Sequence, residues 1–443
     1  MKAGIYLIMI FLVIDIYSNG SDFWGINAHN LSLGGTQTAG VNDYTAAYYN
    51  PAKLSFIGLS NGIGYQYSKY NLYIDLEDNR SKQTKEFFRT DTPQEIQSSY
   101  SSYTIGFTIP VFNNSNYGLN IGFVNNYIEN DVAKISVFDE KLYQFYRYHS
   151  NVETLLMNLG VGFKFLKHFS FGLGVAQLVS VIGETNVQFK IGEDADDDAT
   201  NDSIISGKDL YLGVVNQRAY NFSFFMNYSI YSLGIIYRQE LSLPYKIPAS
   251  ITLKDFNGPG KDATIDLLIE GVGVYLPPKI DLGFSLNLQK QISSLIHFNI
   301  SYEFWSSAPA PYSFTSINSD ADLLKITDLK SYEGVVIYKD SINFNLGYSF
   351  IFLKDNKLNI GFSYRPSIIK KHDKLTNIID SDVFSSSIGS KIKLVSGGGN
   401  NLYLNLAYSV QHNFEKKEYS YYYKSDVKYG GNIYLFYVDI SYE

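Results

Sequence analysis

Apolar and polar positions alternate along most of this 443-residue chain. From Ile296 to Trp305, one set of alternate positions holds only Ile, Phe and Tyr, and the other holds His, Asn, Ser, Glu and Trp. The segments 280–289 and 340–350 repeat the pattern. A period of two is typical of a β-strand with one face in apolar and the other in polar surroundings. The chain is therefore predicted to be all-β.

The connections between these segments predict how the strands are arranged. Counting segments and connections together predicts fourteen strands, with the last, Asn432 to Glu443, closing against the first near Gly58 to Asp75. Short turns alternate strictly with longer loops, which are expected near 77–99, 137–150, 189–218, 248–275, 308–337, 370–381 and 423–429. An even strand number with this alternation is typical of antiparallel transmembrane β-barrels of the bacterial outer membrane.

The N-terminus has the three-part pattern of a secretory signal peptide. Lys2 precedes an apolar run from Ile5 to Ile14, and small residues follow at Ser18-Asn19-Gly20. Residues 1–20 are thus predicted to be a signal peptide cleaved after Gly20. The alternative is a membrane anchor, but a run of about ten residues is short against the roughly 20 that a spanning helix needs. The signal and the strand pattern together predict the bacterial outer membrane.

Composition and charge exclude several functions. The 39 Tyr and 30 Phe favour strands. A net charge of -7 with no basic run argues against nucleic acid as a partner. The chain has no Cys, so it offers no disulfide and no thiolate metal site. No convincing Ser/His/acid or paired-acid set is present, so the chain is predicted not to be an enzyme and to need no cofactor or metal.

A polar, glycine-containing stretch lies between the signal peptide and the first strand. It contains Leu33-Gly34-Gly35-Thr36 and Asn50-Pro51-Ala52. Pro51 restricts its own φ and biases Asn50 towards extended backbone, which predicts a defined turn in a small plug. The strands themselves carry glycines expected to face the lumen, either to let this plug approach closely or to relieve crowding in a curved sheet: Gly106, Gly122, Gly160, Gly162, Gly172, Gly174, Gly283, Gly347 and Gly361.

The order of motifs resembles the FadL/TodX family of outer-membrane transporters for long-chain fatty acids and other hydrophobic compounds. The resemblance rests on the stretch from Leu33 to Ala52 and on later pieces in the same order, namely Tyr237-Arg238, Leu243-Pro244, Leu276-Pro277-Pro278, Tyr302 to Trp305, Tyr338-Lys339-Asp340 and Leu346-Gly347. It covers essentially the whole mature chain. It implies a hatch at 21–57 inside the lumen of a 14-stranded barrel at 58–443. The expected partners are a hydrophobic small-molecule ligand and outer-membrane lipid, with the protein a monomer.

The resemblance also implies a transport route and residues that serve it. Ligand would be captured outside, pass to a lumen pocket and leave sideways through a kinked third strand after the hatch moves. Asn50, Pro51, Ala52, Gly34 and Gly35 are the expected hatch and gating residues. The third strand would run from Tyr117 to about Ser136, and its alternation breaks at Asn125 and Asn126, where the kink is expected; the alternative is that these two are polar residues of the lumen rim.

Cationic side chains in the lumen are candidates for binding a polar head group. By alternation Lys164, Arg238 and Arg365 point inward, together with Glu240. Arginine suits a carboxylate because its planar fork donates two hydrogen bonds. The alternative is that these charges pair with one another or with the hatch.

Three features depart from the family. The third external loop is acidic around 193–202 and is either a solvated loop or a loose divalent-cation site. A capture groove is instead expected in the 248–275 loop, which carries Ile265, Leu267, Leu268 and Ile269. The chain ends in Glu443 after Tyr442, where such barrels usually end in an aromatic residue. A general porin, a surface-interaction barrel and an outer-membrane lipase remain as alternative functions.

Overall fold

The structure is a computed structural model that describes residues 25–76, 94–129, 143–145, 154–188, 207–253, 263–288, 293–309, 314–319, 336–352, 356–372, 378–397, 400–420 and 425–443. The expected signal peptide at 1–20, the first residues of the expected hatch and the acidic stretch 193–202 lie outside the described residues. Within the described ranges, no helix is long and apolar enough to cross a membrane.

Strands account for most of the described chain. In chain order they are β1 Ser60–Leu76, β2 Gln94–Asn113, β3 Gly118–Glu129, β4 Gln144–Phe145, β5 Thr154–Leu166, β6 Phe169–Gln188, β7 Gly207–Asn227, β8 Tyr231–Arg238, β9 Leu241–Leu253, β10 Ala263–Leu276, β11 Lys279–Asn287, β12 Ser294–Glu303, β13 Phe314–Ser319, β14 Val336–Tyr338, β15 Ser341–Phe352, β16 Asn356–Arg365, β17 Ile369–His372, β18 Ile378–Ile379, β19 Val383–Gly397, β20 Asn400–Ser420 and β21 Ser425–Tyr442.

Fourteen of these strands form a closed antiparallel barrel, in the order β1-β2-β3-β5-β6-β7-β8-β11-β12-β15-β16-β19-β20-β21. The first and last strands close it, with Asn61 opposite Tyr442. Closure gives every wall strand a neighbour on each side along at least part of its length, so no strand is an edge strand. The predicted 14-stranded closed barrel is confirmed.

The two faces of the wall differ in chemistry. In β15 the apolar side chains of Ile342, Phe344 and Leu346 are exposed on the outside, whereas Ser341 and Asn343 are buried on the lumen side. The same alternation follows much of the wall, where large apolar side chains face outward and Ser, Asn, Gln and Gly face the lumen. β1 and β21 differ at their loop-end halves, where Tyr70, Leu72, Tyr429 and Leu435 are buried in an apolar cluster on the lumen side. A wall that is apolar outside and polar inside matches the pattern of a barrel set in lipid.

Short turns join the strands at one end of the barrel, here the turn end, and longer connections join them at the other, the loop end. The loop predicted at 248–275 is wrong, because most of it belongs to β9 and β10, which pair with β13 in a separate three-stranded sheet at the loop end. The loops predicted at 189–218 and 77–99 are also too long, since β7 and β2 begin within them. Strands beyond the membrane can have water on both faces, so apolar alternation does not mark them.

Other boundaries near the loop end also shift. The alternation predicts that Trp305 lies on a strand face, but it begins a short 3-10 helix, Trp305–Ser307. The connections predicted at 308–337 and 370–381 contain the short strands β13, β14, β17 and β18.

The segment Gly25–Ile57, here the N-terminal segment, lies within the barrel. It contains the short helices α1 Ala28–Ser32, α2 Gln37–Gly40 and α3 Ala46–Tyr49, followed by a 3-10 helix, Pro51–Phe56. Nearly all of its residues are buried, and its helices pack against strands all around the lumen face of the wall. This segment and the cavity beside it form the candidate site.

Candidate functional site

Pairs of glycines on the lumen face seat the N-terminal segment. The members of each pair lie directly opposite on neighbouring strands: Gly62 with Gly106, Gly122 with Gly160, Gly162 with Gly172, Gly234 with Gly283, and Gly347 with Gly361. In every pair, a methyl group added to at least one member would come within 3 Å of an atom of the segment. Close approach of the segment, rather than relief of curvature, therefore explains these glycines.

Each pair receives a particular part of the segment. The ring of Tyr44 lies on the first pair, Leu54 on the second and the Pro51-Ala52 backbone on the third. Thr38 and Ala39 lie on the fourth, and the Leu33-Gly34 backbone lies on the fifth. The segment thus rests against five places around the barrel.

Gly34 and Gly35 form a turn that only glycine accommodates well. Both have positive φ, at 63° and 84°, where a side chain would be strained. A Cβ on Gly34 would also meet the backbone of Phe362, and the Asn345 side-chain amide donates to the Gly34 carbonyl oxygen at 2.5 Å. The predicted gating glycines therefore hold the segment against β15 and β16.

Asn50 lies in extended backbone immediately before the 3-10 helix that begins at Pro51, as expected for a residue that precedes proline. Asn50 has φ -163° and ψ 92°, and its Oδ1 accepts from the Ala52 N–H at 3.2 Å. Its Nδ2 donates to the Thr38 carbonyl oxygen at 2.7 Å. Ala52 is also bonded to the wall on both of its backbone groups, donating to Ser223 Oγ at 2.9 Å and accepting from Ser170 Oγ at 2.8 Å. This element ties the segment to itself and to β6 and β7.

The opposite side of the segment is bonded to the last strands of the chain. The Ala28 N–H donates to Asp439 Oδ2 at 2.7 Å, and the Tyr437 hydroxyl donates to the Ile26 carbonyl oxygen at 2.6 Å. Asn359 Nδ2 donates to Ser32 Oγ at 3.0 Å. None of these wall residues was singled out from sequence, because their role depends on a segment some 300 to 400 residues away in the chain.

The third strand keeps its pairing at the expected kink. Asn125 lies opposite Ile105 of β2 and Met157 of β5, and Asn126 lies opposite Thr104 and Leu156, with no register shift at either residue. Asn126 Nδ2 donates to Thr104 Oγ1 at 2.8 Å. The wall is closed here in the described state, and an opening at this place stays a prediction.

Arg238 is committed to the N-terminal segment. Its guanidinium donates to the carbonyl oxygens of Tyr48 and Tyr49 at 2.9 and 3.2 Å, lies 4.8 Å from the centre of the Tyr48 ring and forms an ion pair with Asp281. Lys279 lies 3.6 Å from Asp281 and extends the network. Arg238 therefore pairs with the N-terminal segment and with Asp281, as expected under the alternative that lumen charges pair with the hatch or with one another.

The three candidate head-group residues do not lie together. Arg365 faces the same cavity as Arg238 and donates to Gln411 Oε1 at 3.1 Å. Lys164 lies at the turn end, where it donates to Asn113 Oδ1 and the Asn114 carbonyl oxygen at 2.7 and 2.8 Å. Only the two arginines can therefore act on one bound molecule in the cavity.

A polar cavity lies above the segment on its loop-end side. It encloses about 760 Å³ including its open mouth. Its charged lining comprises Arg238, Lys279, Asp281, Glu303 and Arg365. The remaining wall residues are uncharged and polar, namely Asn299, Ser301, Asn343, Asn345, Ser363, Ser385, Ser387, Ser409 and Gln411. This lining offers hydrogen bonds to a ligand, and Leu31, Tyr48 and Tyr49 of the segment add apolar surface.

A second pocket adjoins this cavity and is more apolar. It encloses about 430 Å³ including its mouth, and Tyr48, Arg238 and Lys279 line both spaces. Its apolar lining is Leu156, Ala176, Ala219, Leu241, Leu276 and Pro277. An apolar pocket joined to a polar cavity at two cations suits a molecule with an apolar part and a polar part.

The fold is that of known channels. A Pseudomonas aeruginosa FadL homologue matches with a TM-score of 0.57 at 13% identity over 97% of this chain and 98% of that chain. The P. putida toluene transporter TodX matches at 0.54 and 13% identity over 95% and 99%, and the CymD monoaromatic hydrocarbon channel at 0.52 and 13% over 94% and 97%. No protein-family model and no curated protein matches the sequence. The barrel has a FadL/TodX-like fold.

A Ser–His contact in the lumen bears on the enzyme alternative. Ser285 Oγ lies 2.9 Å from His297 Nδ1. The ring packs against Gly40 of the segment, and none of the ion pairs or hydrogen bonds found in the described ranges joins it to a carboxylate that would orient it. A hydrolase triad needs that third group and room for substrate at the serine. The pair is therefore a buried packing contact beneath the segment.

Carboxylates fasten the loop end above the cavity. Burial raises the pKa of the Asp382 carboxyl, but the Ser367 N–H, the Tyr364 hydroxyl and the charges of Lys339 and Lys416 outweigh it and hold that pKa below its ordinary value. Beside this carboxyl lies a buried apolar cluster of Trp305, Val336, Tyr338, Ile368, Ile369 and Ile378. The cluster joins two connections of the loop end, the one between β12 and β15 and the one between β16 and β19, into one packed unit.

Proposed function

We propose that this protein carries hydrophobic or amphipathic small molecules across the bacterial outer membrane. The observation that carries the proposal is the N-terminal segment seated across the lumen beneath a cavity that continues into an apolar pocket. A seated segment obstructs free diffusion of water-soluble compounds, while the apolar pocket gives a hydrophobic group a place away from water. The apolar outer face of the wall and the expected signal peptide support the outer membrane as its location.

The channels of similar fold support the class of compound. Their names describe hydrocarbon channels and a FadL homologue, and long-chain fatty acids are the compounds that the sequence resemblance implies. In this proposal ligand is captured at the loop end, binds between the apolar pocket and the cavity, and passes on when the N-terminal segment shifts. Arg238 and Arg365 are the proposed head-group contacts. Lateral release at Asn125 and Asn126 requires the β3 ladders to open there.

The polar lining of the cavity favours a second candidate, a channel for polar solutes. Uncharged Ser, Asn and Gln side chains dominate that lining, and such groups suit a hydroxylated compound better than a plain hydrocarbon. This is the porin alternative in a plugged form. The rate at which proteoliposomes swell in saccharide solutions measures the passage of polar solutes directly.

Uptake by proteoliposomes tests the proposal. Labelled dodecanoate and labelled dodecane are offered to vesicles with and without the protein, and a small saccharide is offered in parallel. We expect accumulation of at least one apolar probe well above the empty vesicles and little saccharide flux. Accumulation equal to that of empty vesicles, or saccharide flux at a porin's level, would overturn it. Deleting residues 21–56 should raise saccharide flux, which separates a plug from a simple extension of the chain.

A further inference from the structure

The wall becomes lower beside the loop end of β8. The ladders β8–β11, β11–β12 and β12–β15 all end at the level of Arg238, Lys279 and Glu303, whereas β6 and β7 continue beyond it. β7 begins at Gly207, but its ladder with β8 starts only at Asn221 opposite Arg238. The ladder between β8 and β11 ends at the same level, with Arg238 opposite Lys279. In the described part of the chain, residues 207–220 of β7 therefore have a ladder with β6 and none on their other side.

The chain that would have continued the wall turns into the lumen instead. β9 leaves β8 and lies against β6 and β7. Its first residue, Leu241, packs in one buried cluster with the lumen-facing side chains of Leu156, Leu178 and Ala219. Among the described residues, none forms a wall strand beside the loop-end half of β7.

The boundary between β7 and the end of β8, at Tyr220 and Gln239, is here called the seam. Two hydrogen bonds between these two residues close it. The Gln239 N–H donates to the Tyr220 carbonyl oxygen at 3.0 Å, and the Tyr220 N–H donates to Gln239 Oε1 at 3.1 Å. The second bond uses an exposed side chain in place of the next strand's backbone. A hydrogen bond open to water contributes little net free energy, so this contact can break without unfolding the β7–β8 ladder.

The apolar pocket lies directly behind this contact. Its lining runs from Tyr48 of the N-terminal segment to Tyr220 and Gln239 in the seam, past Leu241 and Leu276. Arg238 and Lys279 stand where the pocket meets the polar cavity. Tyr220 and Gln239 therefore separate this pocket from the outside of the barrel.

Exposed tyrosines indicate the level of the seam in the membrane. On the outer face Tyr220 is 51% exposed and Tyr237 37% exposed. Tyrosine is enriched where a membrane meets water, because its ring is apolar and its hydroxyl is polar. With the loop end outside the cell, as in barrels of this kind, the seam lies at the outer membrane–water interface.

We infer that the seam between Tyr220 and Gln239 is a side opening through which amphipathic molecules enter the lumen from the outer membrane–water interface. The apolar part of the molecule passes into the pocket, and its polar part reaches Arg238 and Lys279 at the inner end. The inference rests on the proposed function and adds a path into the barrel that is separate from the expected release at β3.

A cross-link across the seam tests the inference, and the absence of native cysteine makes it unambiguous. Tyr220 and Gln239 follow directly on the pair Asn221–Arg238, so cysteines there face each other at a spacing that a disulfide accepts. The matched control is Phe222→Cys with Tyr237→Cys, which joins a pair already within the ladder. Dodecanoate uptake by proteoliposomes is measured oxidised and after reduction with dithiothreitol.

We expect oxidation of the 220–239 pair to lower uptake at least tenfold, reduction to restore it, and the control pair to keep wild-type uptake in both states. Gln239→Ala should take up dodecanoate at least as fast as wild type. Unchanged uptake with the seam cross-linked, or slower uptake by Gln239→Ala, would overturn the inference while leaving the proposed function intact. Absence of uptake by the wild type would instead refute the proposed function.

Discussion

The side-chain amide of Asn50 donates a 2.7 Å hydrogen bond to the carbonyl oxygen of Thr38, and both groups lie against Gly234 of the wall. This bond joins the turn before Pro51 to helix α2, so it fixes two contact points of the N-terminal segment at once. No larger residue at 234 would leave room for it, because a Cβ there would meet both partners.

Asn50→Asp should therefore loosen the segment. A carboxylate keeps the acceptor for Ala52 but cannot donate to Thr38, and it places a negative charge against a carbonyl oxygen. We expect a higher ion conductance in planar bilayers, with frequent opening events. Asn116→Asp, at an exposed turn position, is the control; equal conductance in the two variants would contradict the prediction.

Gly172→Ala should weaken the seat of Pro51-Ala52. The added methyl would overlap the segment's backbone, which cannot move aside as a flexible side chain can, so we expect a loss of about 1 to 3 kcal/mol in stability. Urea unfolding in detergent measures it. Gly58→Ala is the matched control, since a methyl there meets nothing within 4 Å. A Gly172→Ala midpoint equal to that of the control would be the opposite result.

Arg238→Gln should release the end of helix α3. The change removes both bonds to the Tyr48 and Tyr49 carbonyl oxygens and the ion pair with Asp281, which keeps its contact with Lys279. Hydrogen exchange should rise at residues 48–53, while residues 28–33, which bond to other strands, should stay protected. Arg238→Lys retains the positive charge but not the planar guanidinium, so its hydrogen exchange at residues 48–53 should lie between that of the wild type and that of Arg238→Gln. Uniform exchange across the segment would show that Arg238 does not act locally.

Arg365→Gln and Lys164→Gln should differ in ligand affinity. Arg365 lines the cavity, whereas Lys164 is bonded to the turn at Asn113 and Asn114. We expect the first variant to bind dodecanoate about tenfold more weakly, the scale of one charge-assisted hydrogen bond, and the second to bind as wild type does. Calorimetry in detergent gives both values, and weaker binding by Lys164→Gln would reverse the assignment.

Acid should loosen the packed unit at the loop end. The pKa of Asp382 is depressed in the folded protein, so its stabilising effect is complete above the unfolded value of about 3.9 and is lost as pH falls below it. In a Trp24→Phe background, the emission of Trp305 should shift to the red below about pH 4. Asp382→Asn should abolish this transition, and Asp426→Asn should retain it; an unaltered titration in Asp382→Asn would exclude Asp382 as its cause.

The wall could be predicted from sequence because its chemistry repeats every two residues. The apolar side chain of Ile342 indicates the outer face and the polar side chain of Asn343 indicates the lumen face, and neither assignment needs a contact partner to be known. The candidate site could be predicted only in part. Gly34, Gly35 and Asn50-Pro51 carry local backbone signals, but the Gly162–Gly172 and Gly234–Gly283 pairs depend on strand register, which no single strand encodes.

Other differences between prediction and structure have physical causes of the same kind. The sequence predicts a loop where β9 and β10 lie, because these strands lie outside the barrel wall, where alternation is not required. It predicts that Arg238 faces the lumen, but it does not indicate the bonds of Arg238 to Tyr48 and Tyr49, because these join residues about 190 positions apart. Alternation along a strand predicts which side chains face the lumen. The partner of a lumen-facing charge can be identified only in the folded structure.

The bond from Ala28 to Asp439 also concerns how the molecule is assembled. It links the start of the described chain to its final strand across 411 positions, and that strand is the one that meets β1 to complete the ring. If the chain inserts from its N-terminus, the N-terminal segment lacks its hydrogen bonds to Tyr437 and Asp439 until the last strand is in place. In the proposed function, completion of the ring and seating of the segment in the lumen are then one event, so a finished barrel would already contain its plug.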